Sequence, residues 1–542
     1  MNRDPLASGV TTDLLDVLIV GAGWSGMYML HRCRELGLRA RVLEAAPSVG
    51  GAWYWNRYPG LRCDVESYEY SYSFDQSLQR EWVWSERFPS QPEILAYANH
   101  VANRYDLRRD IEFEARVNAA CFRDDECVWE VTASRIGTRR ARFLVMATGA
   151  LSIPKKTDIP GLDDFGGTLI HTADWPSEPV DFTGKRVGVI GTGSTGVQVI
   201  PVIAETARQL HVFQRTPSYS VPAHNRPLTE EDRTRTLERY DEIRHIQRTS
   251  AIGTLAKPVA KSAFDLDDAA RRELYDAKYG KGLAFELMVA FEDMLINEEA
   301  NRTAQEYLAS RIRERVKDPA VADILIPKEQ FVGTRRICLD TGYYETYNRD
   351  NVTLKDVVRD PIRRITREGV ELASGHIDLD TLVLATGFDA MTGALLAMDI
   401  RGTGGVRLRE RWSQGPRSLL GLAIHGFPNL FTITGPGSPA VFSNMFVSIE
   451  QHVEWIADCL AFMQQHGHSR IEAGEAAQEA WVGHVSEVAN ATLFPRDKHS
   501  WYLGANVPGK PRVFMPYVAG VGVYREYCTN VAKQGYPGFE FA

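Results

Sequence analysis

Asp16-Val-Leu-Ile-Val20 is a short unbroken apolar run that stops at Gly21-Ala-Gly-Trp-Ser-Gly26. A stretch of helical period follows to Leu36, Gly37 interrupts it, and a second strand-like run occupies Ala40–Glu44. The pattern predicts a βαβ unit. It recurs as Arg186-Val-Gly-Val-Ile190, Gly191-Thr-Gly-Ser-Thr-Gly196, a helix to about Arg208 and a strand at Leu210–Phe213. Pro201 falls inside this second helix, where the lost hydrogen bond predicts a kink costing about 3 kcal/mol if unrelieved. Phe143–Gly149 and Leu382–Gly387 each read as a buried strand running into an Ala-Thr-Gly turn. That repetition is how a chain leaves one nucleotide-binding domain and later returns to it. The expected architecture is therefore α/β: two nested Rossmann-like dinucleotide-binding domains with a helical insert in the second.

The boundaries follow from these runs. Residues 1–150 and 387–542 make the first domain, 151–225 and 331–386 the second, and 226–330 the insert. Residues 111–135 alternate around Asp124-Asp125 and predict a β-hairpin excursion. Within the insert, Glu230–Gln247 and Gly282–Ile296 read as helices, and beyond Gly435-Pro-Gly-Ser-Pro439 an amphipathic helix is expected from about Asn444 to Gln465, closed by Gly467.

Composition narrows the function. A chain of 542 residues with 44% hydrophobic and 24% charged residues has room for about three or four globular domains. Its 62 basic and 70 acidic residues give a net charge of −8 without long runs of either sign, which argues against a nucleic-acid partner. Apolar stretches fall short of a membrane span. Met1–Thr12 is polar with no apolar core of a secretory signal, so the expected location is cytoplasmic. The seven cysteines are scattered and never in C-x-x-C spacing, which speaks against a disulfide scaffold or a closed zinc site; no metal is expected.

A G-x-G-x-x-G between strand and helix lets the backbone turn tightly against a pyrophosphate at a helix N-terminus. Glu44 lies 23 residues after Gly21, where an acid accepts from ribose hydroxyls; otherwise it is a solvated acid at a strand end. The equivalent place after Gly191 carries Phe213-Gln-Arg215, and a guanidinium there attracts a 2′-phosphate, so the second nucleotide is expected to be NADPH. Arg335 is the candidate for a second charge on that phosphate. Two dinucleotide sites suggest an electron path from nicotinamide to FAD. A disulfide reductase shares this layout, but its redox cysteine pair is missing: Cys121 and Cys127 lie on the hairpin.

Two further stretches carry a resemblance. Phe165-Gly-Gly-Thr-Leu-Ile-His171-Thr-Ala-Asp-Trp175-Pro176 fits F-x-G-x-x-x-H-x-x-x-W-P, and Gly50-Gly-Ala-Trp53-Tyr-Trp-Asn-Arg-Tyr58-Pro-Gly60-Leu-Arg-Cys-Asp64 fits G-G-x-W-x-x-x-x-Y-P-G-x-x-x-D. With both cradles, the chain resembles the type I Baeyer–Villiger monooxygenases, closest to the phenylacetone and steroid monooxygenases. The resemblance implies that NADPH and O2 are used to insert one oxygen beside a ketone carbonyl, giving an ester or lactone through a flavin C4a-peroxide. It implies Arg336 as the catalytic cation and Asp64 as its orienting partner. His171 and Trp175 then belong to a hinge rather than to the chemistry. The implied cofactor contacts are Gly21, Gly23, Ser25, Gly26, Glu44, Gly51, Ala52, Trp53, Tyr54, Trp55, Arg62, Cys63, Asp64, Tyr70, Val117 and Met445 around the first cradle. Around the second they are Gly191, Gly193, Ser194, Thr195, Gly196, Val197, Arg215, Thr216, Arg335, Arg336 and Trp501. Leu151, Ala440, Val441, Phe442 and Met445 would line the ketone pocket. Heteroatom oxidation at sulfur or nitrogen is the alternative activity, and a monomer or small homo-oligomer is expected. A sensor protein that keeps the fold without turnover is the reading from another class.

Overall fold

The structure is a computed structural model and describes residues 13–542. Met1–Thr12, on which the expectation about a secretory signal rests, lies outside the described residues. The first apolar run forms strand β1 (Leu14–Val20), followed by helix α1 (Trp24–Glu35) and β2 (Ala40–Leu43), and β1 and β2 pair in parallel. Val17, Leu18 and Ile19 are fully buried, as expected of a parallel strand covered on both faces.

The remaining strands of this sheet are β3 (Ile111–Glu112), β4 (Val117–Arg123), β5 (Val128–Ala133) and β6 (Gly137–Met146). The order runs β4-β5-β6-β1-β2-β3. The expected hairpin thus shrinks to β4–β5, with Asp124-Asp125 at its turn, and β5 continues antiparallel into β6. Residues 111–112 instead extend the parallel side beside β2.

The second sheet is wholly parallel. It contains β7 (Thr168–His171), β8 (Arg186–Ile190), β9 (Gln209–Gln214), β10 (Val352–Asp356) and β11 (Thr381–Leu384) in the order β10-β9-β8-β11-β7. Helix α2 (Ser194–Thr206) joins β8 to β9 and runs through Pro201 without a break in assignment. The chain then returns to the first sheet as β12 (Asp399–Arg401), beside β4, and β13 (Leu430–Thr432), beside β6.

Between Pro222 and Cys338 the insert is helical at Glu230–Glu238, Tyr240–Thr249, Asp268–Gly280, Glu298–Arg315 and Pro319–Leu325. Gly282–Ile296 departs from expectation, because it folds as successive tight turns. Its buried residues Ala284, Phe285, Leu287, Met288, Ala290, Phe291 and Met294 recur close to every three positions, and several of its backbone bonds are i→i+3. That period belongs to 3₁₀-like turns rather than to an α-helical stripe. Helix α3 (Met445–His466) is capped by the Asn444 side chain and closed by Gly467 at φ +74°, and it packs against α1. No helix among the described residues is long and apolar enough to cross a membrane.

Candidate active site

The two glycine loops are built alike. Gly21 adopts φ +104° and Gly191 φ +114°, and a side chain at either would run into a carbonyl, of Ala147 or of Ala385. Those carbonyls belong to the two Ala-Thr-Gly turns, which follow β6 and β11, the strands flanking β1 and β8. Each helix then starts at a glycine, Gly23 or Gly193, with no side-chain cap and no acid in its first turn. The first-turn N–H groups are left to an anion from outside the chain. Ser25 is buried in the first turn of α1, while Ser194, Thr195, Gly196 and Val197 form that of α2. This is a fit for two pyrophosphates.

Glu44 sits at the end of β2, 4% exposed. One carboxylate oxygen accepts from the Ala22 N–H at 2.6 Å and the other from Ala46 N–H at 2.7 Å. Burial pushes its carboxyl above the ordinary range, against the pull of these backbone donors. At the second cradle Thr192 donates to the Thr216 carbonyl at 3.1 Å. Arg215 is exposed and pairs with no acid among the described residues. Arg335 is anchored instead: its Nε donates to Asp497 at 3.0 Å, and the same buried acid accepts from Thr334 at 2.9 Å.

The Gly50-Gly51 loop folds back on the first cradle, with Gly50 N–H donating to the Ala22 carbonyl at 3.1 Å. Ala52–Trp55 then makes a single helical turn. The Trp53 indole donates to the Tyr70 hydroxyl at 3.0 Å, and Gln91 donates to the Trp53 carbonyl at 2.6 Å. Tyr70 meets Phe446 edge to face at 4.8 Å, while Asn444 donates to the Glu69 carbonyl at 2.9 Å and caps α3 through Phe446. The start of α3, with Met445 as its first residue, is thereby tied to the 69–70 segment. Val117 opens β4 and is buried. Tyr54 and Trp55 stand edge to face at 5.4 Å. Arg62 turns its guanidinium to Glu86 and the Phe88 carbonyl, and Cys63 is buried with a thiol that burial pushes up.

Asp64 and Arg336, 272 positions apart, meet. Arg336 Nη2 donates to Asp64 Oδ1 at 3.1 Å, and Nε lies 2.5 Å from Oδ2. Nη1 donates to the Val441 carbonyl at 3.1 Å, and the Phe285 ring lies 4.8 Å from the guanidinium carbon. The cation is thus held by an acid, a carbonyl and an aromatic face, each from a different part of the chain. Burial opposes its charge, but Asp64 and neighbouring groups outweigh that and raise the guanidinium pKa. Tyr502, its phenol pushed up to about 12 by burial, adds to this surround. Trp501 precedes it in the same short 3₁₀ turn.

Ala440, Val441 and Phe442 are buried in the turn leading to Asn444, and Phe442 meets Phe494 at 5.4 Å. Leu151, two residues past the first Ala-Thr-Gly turn, is 39% exposed and differs in this from the other three. His171 Nδ1 accepts from Ala173 N–H at 3.1 Å, which leaves Nε2 facing the Thr386 hydroxyl at 3.3 Å. It braces β7 against the second Ala-Thr-Gly turn. Burial lowers its pKa, favouring the neutral ring.

Phe285, Gln198 and Asp497 had no signal in the sequence. Phe285 was hidden by the helical reading of its segment. Tyr58 donates to Gln198 Oε1 at 3.0 Å, and Gln198 returns a bond to the Arg62 carbonyl at 3.0 Å, linking the Tyr58–Asp64 strap to α2. Gly60 adopts φ +83° at this crossing, where a Cβ would lie 2.5 Å from the Gln198 carbonyl oxygen. Asp497 was likewise unmarked. All seven cysteines are free, Cys121 and Cys127 included.

Comparison with known proteins places this geometry. Residues 15–225 match the FMO-like family, flavin-binding monooxygenase-like proteins. The acetone monooxygenase (methyl acetate-forming) of Gordonia sp. is 42% identical over 98% of this chain and 99% of its own. A Baeyer–Villiger monooxygenase of Pseudooceanicola batsensis is 42% identical over 96% of this chain and 95% of its own. Among solved structures, an oxidised steroid monooxygenase bound to NADP superposes with a TM-score of 0.93 at 49% identity, covering 98% of this chain and 99% of that one.

Proposed function

Because the chain belongs to the type I Baeyer–Villiger monooxygenase family, we propose that Arg336 is the catalytic cation of an FAD-containing, NADPH- and O2-dependent enzyme that converts ketones to esters or lactones. FAD, bound and reduced by NADPH, supplies activated oxygen. The observation that carries the assignment is the meeting of Arg336 with Asp64, Val441 and Phe285. A guanidinium keeps its proton at any working pH, and one fixed on three sides offers positive charge to an oxygen anion without first reorganising. Asp64 is a positioning residue, since it acts through Arg336. The buried Ala440–Phe442 turn keeps that charge in apolar surroundings, where it is screened less by water.

We assign the Gly21–Gly26 loop, Glu44, the Gly51–Trp55 turn, Tyr70 and Met445 to FAD, and the Gly191–Val197 loop, Arg215, Thr216 and Trp501 to NADPH. The 1–150 and 387–542 segments then form the FAD domain, 151–225 and 331–386 the NADP domain, and 226–330 the insert. The unbonded helix starts, the glycine positions and Glu44 support this division. Arg62 gives one guanidinium nitrogen, Nη1, to Glu86 and the Phe88 carbonyl. Seven unpaired cysteines are in keeping with a reducing compartment, and we propose a cytoplasmic enzyme acting as a monomer or small homo-oligomer.

The test is Arg336→Ala. The variant is expected to retain bound flavin and to be reduced by NADPH, yet to form no ester from a ketone panel under labelled oxygen. Normal ester formation would overturn the assignment. Paired ketone and sulfide substrates separate this reaction from heteroatom oxidation.

A further inference from the structure

We propose that Lys155 is a third cation for the adenosine 2′-phosphate of NADPH and a determinant of the preference for NADPH over NADH. The inference rests on the reading of Arg215 given above and extends it to a residue outside both glycine loops.

Position is the first argument. In a doubly wound sheet the ligand lies in the crevice at the carboxyl ends of the strands, where neighbouring connections diverge. Here β8 leads into the second glycine loop, and its neighbours are β9 and β11. Arg215 follows β9, and Gly387 follows β11. The segment 153–157 is strapped along the exit of β11. Lys155 N–H donates to the Gly387 carbonyl at 2.9 Å, Asp389 N–H donates to the Ile153 carbonyl at 2.9 Å, and the Thr157 and Thr386 hydroxyls lie 2.9 Å apart. Lys155 is thus fixed at its backbone to the wall of the crevice beside β11, and Arg215 follows the strand on the other side of β8.

Charge is the second argument. Lys155 is half-buried, and neither it nor Arg215 pairs with a carboxylate among the described residues. Burial, and then repulsion by Arg215, hold its ammonium below the ordinary lysine range. Two like charges kept together without a counter-ion are unfavourable in the free protein, and a phosphate dianion between them offsets that cost. The second cation expected from sequence, Arg335, has its Nε committed to Asp497, so Lys155 supplies charge that Arg335 shares with an internal acid.

The experiment uses the flavin-loaded full chain and titrates it calorimetrically with adenosine 2′,5′-bisphosphate and with 5′-AMP, which differ only in the phosphate at issue. K155Q is expected to weaken the bisphosphate about tenfold, the loss of one charge-assisted contact, and to leave 5′-AMP unchanged. K155R is expected to restore binding, and R215Q to weaken the bisphosphate at least as much as K155Q. The inference is overturned if R215Q weakens the bisphosphate while K155Q does not. It is overturned equally if K155Q weakens both ligands alike, which would mark a packing role. If R215Q has no effect on the bisphosphate, the reading of Arg215 fails and the inference fails with it.

Discussion

Replacing Asp64 by alanine removes both contacts that orient the Arg336 guanidinium, at 2.5 and 3.1 Å, and leaves it with Val441 and Phe285. The size of the effect is bounded by two cases. Breaking a buried pair costs about 3 to 5 kcal/mol, and an exposed pair is worth about 0 to 1 kcal/mol. The Asp64 and Arg336 side chains are 21% and 22% exposed, close to the buried limit but not at it. The expected loss is therefore about 2 to 3 kcal/mol in the oxygenation step, or ~30- to 150-fold. The assay measures ester formed per NADPH consumed, with flavin content checked by absorbance. A loosened guanidinium should lower that ratio and release hydrogen peroxide, which a general loss of folded protein would not do. The D64A/R336K double variant should be no worse than R336K alone, since the two residues act as a unit. If D64A turns over ketone at the parent rate with unchanged coupling, the positioning role is refuted.

Gly60→Ala places a Cβ against the Gln198 carbonyl at a φ of +83°, and it should cost about 1 to 3 kcal/mol, read as a lower denaturation midpoint and a raised KM for NADPH. An unchanged midpoint would show that the strap yields freely. His452 is fully buried, with Nδ1 accepting from Thr434 N–H at 2.9 Å and Nε2 facing Tyr524 at 2.9 Å. Burial, and then Arg525, lower its pKa to about 3. The unfolded chain, with a histidine pKa of about 6.5, binds that proton more readily, so the contribution is full above this value and is lost as pH falls toward 3. Between pH 7 and 5 the parent should lose about 2 kcal/mol that His452→Gln does not; parallel denaturation curves for the two proteins would contradict this.

Much of the fold was legible because its signals are local. Glycine spacing, apolar runs and the two Ala-Thr-Gly turns each specify a backbone conformation within a few residues, and β1, α1, β8 and α2 fall where those signals put them. What escaped depends on contacts between distant segments. Phe285 reaches Arg336 only because Gly282–Ile296 turns with a period near three, and residues 111–112 join β2 because the sheet has a free edge there. The Asp64–Arg336 meeting is of the same kind. No spacing rule joins positions 64 and 336, and only the family resemblance anticipated their pairing. Asp497 could not be found at all from its neighbours, since an isolated acid carries no pattern until Thr334 and Arg335 close on it.

The Tyr58–Gln198 crossing has a consequence for recombination between relatives. The strap that ends in Asp64 and the helix that begins at the second glycine loop are fitted to one another backbone against backbone, with no side chain between Gly60 and Gln198 to absorb a mismatch. Hybrid enzymes assembled by exchanging the module that carries the second glycine loop must therefore inherit residues 58–64 and 194–206 from a single parent. A seam placed between those segments would misplace the carboxylate that steadies the guanidinium, even where every junction lies in an exposed loop.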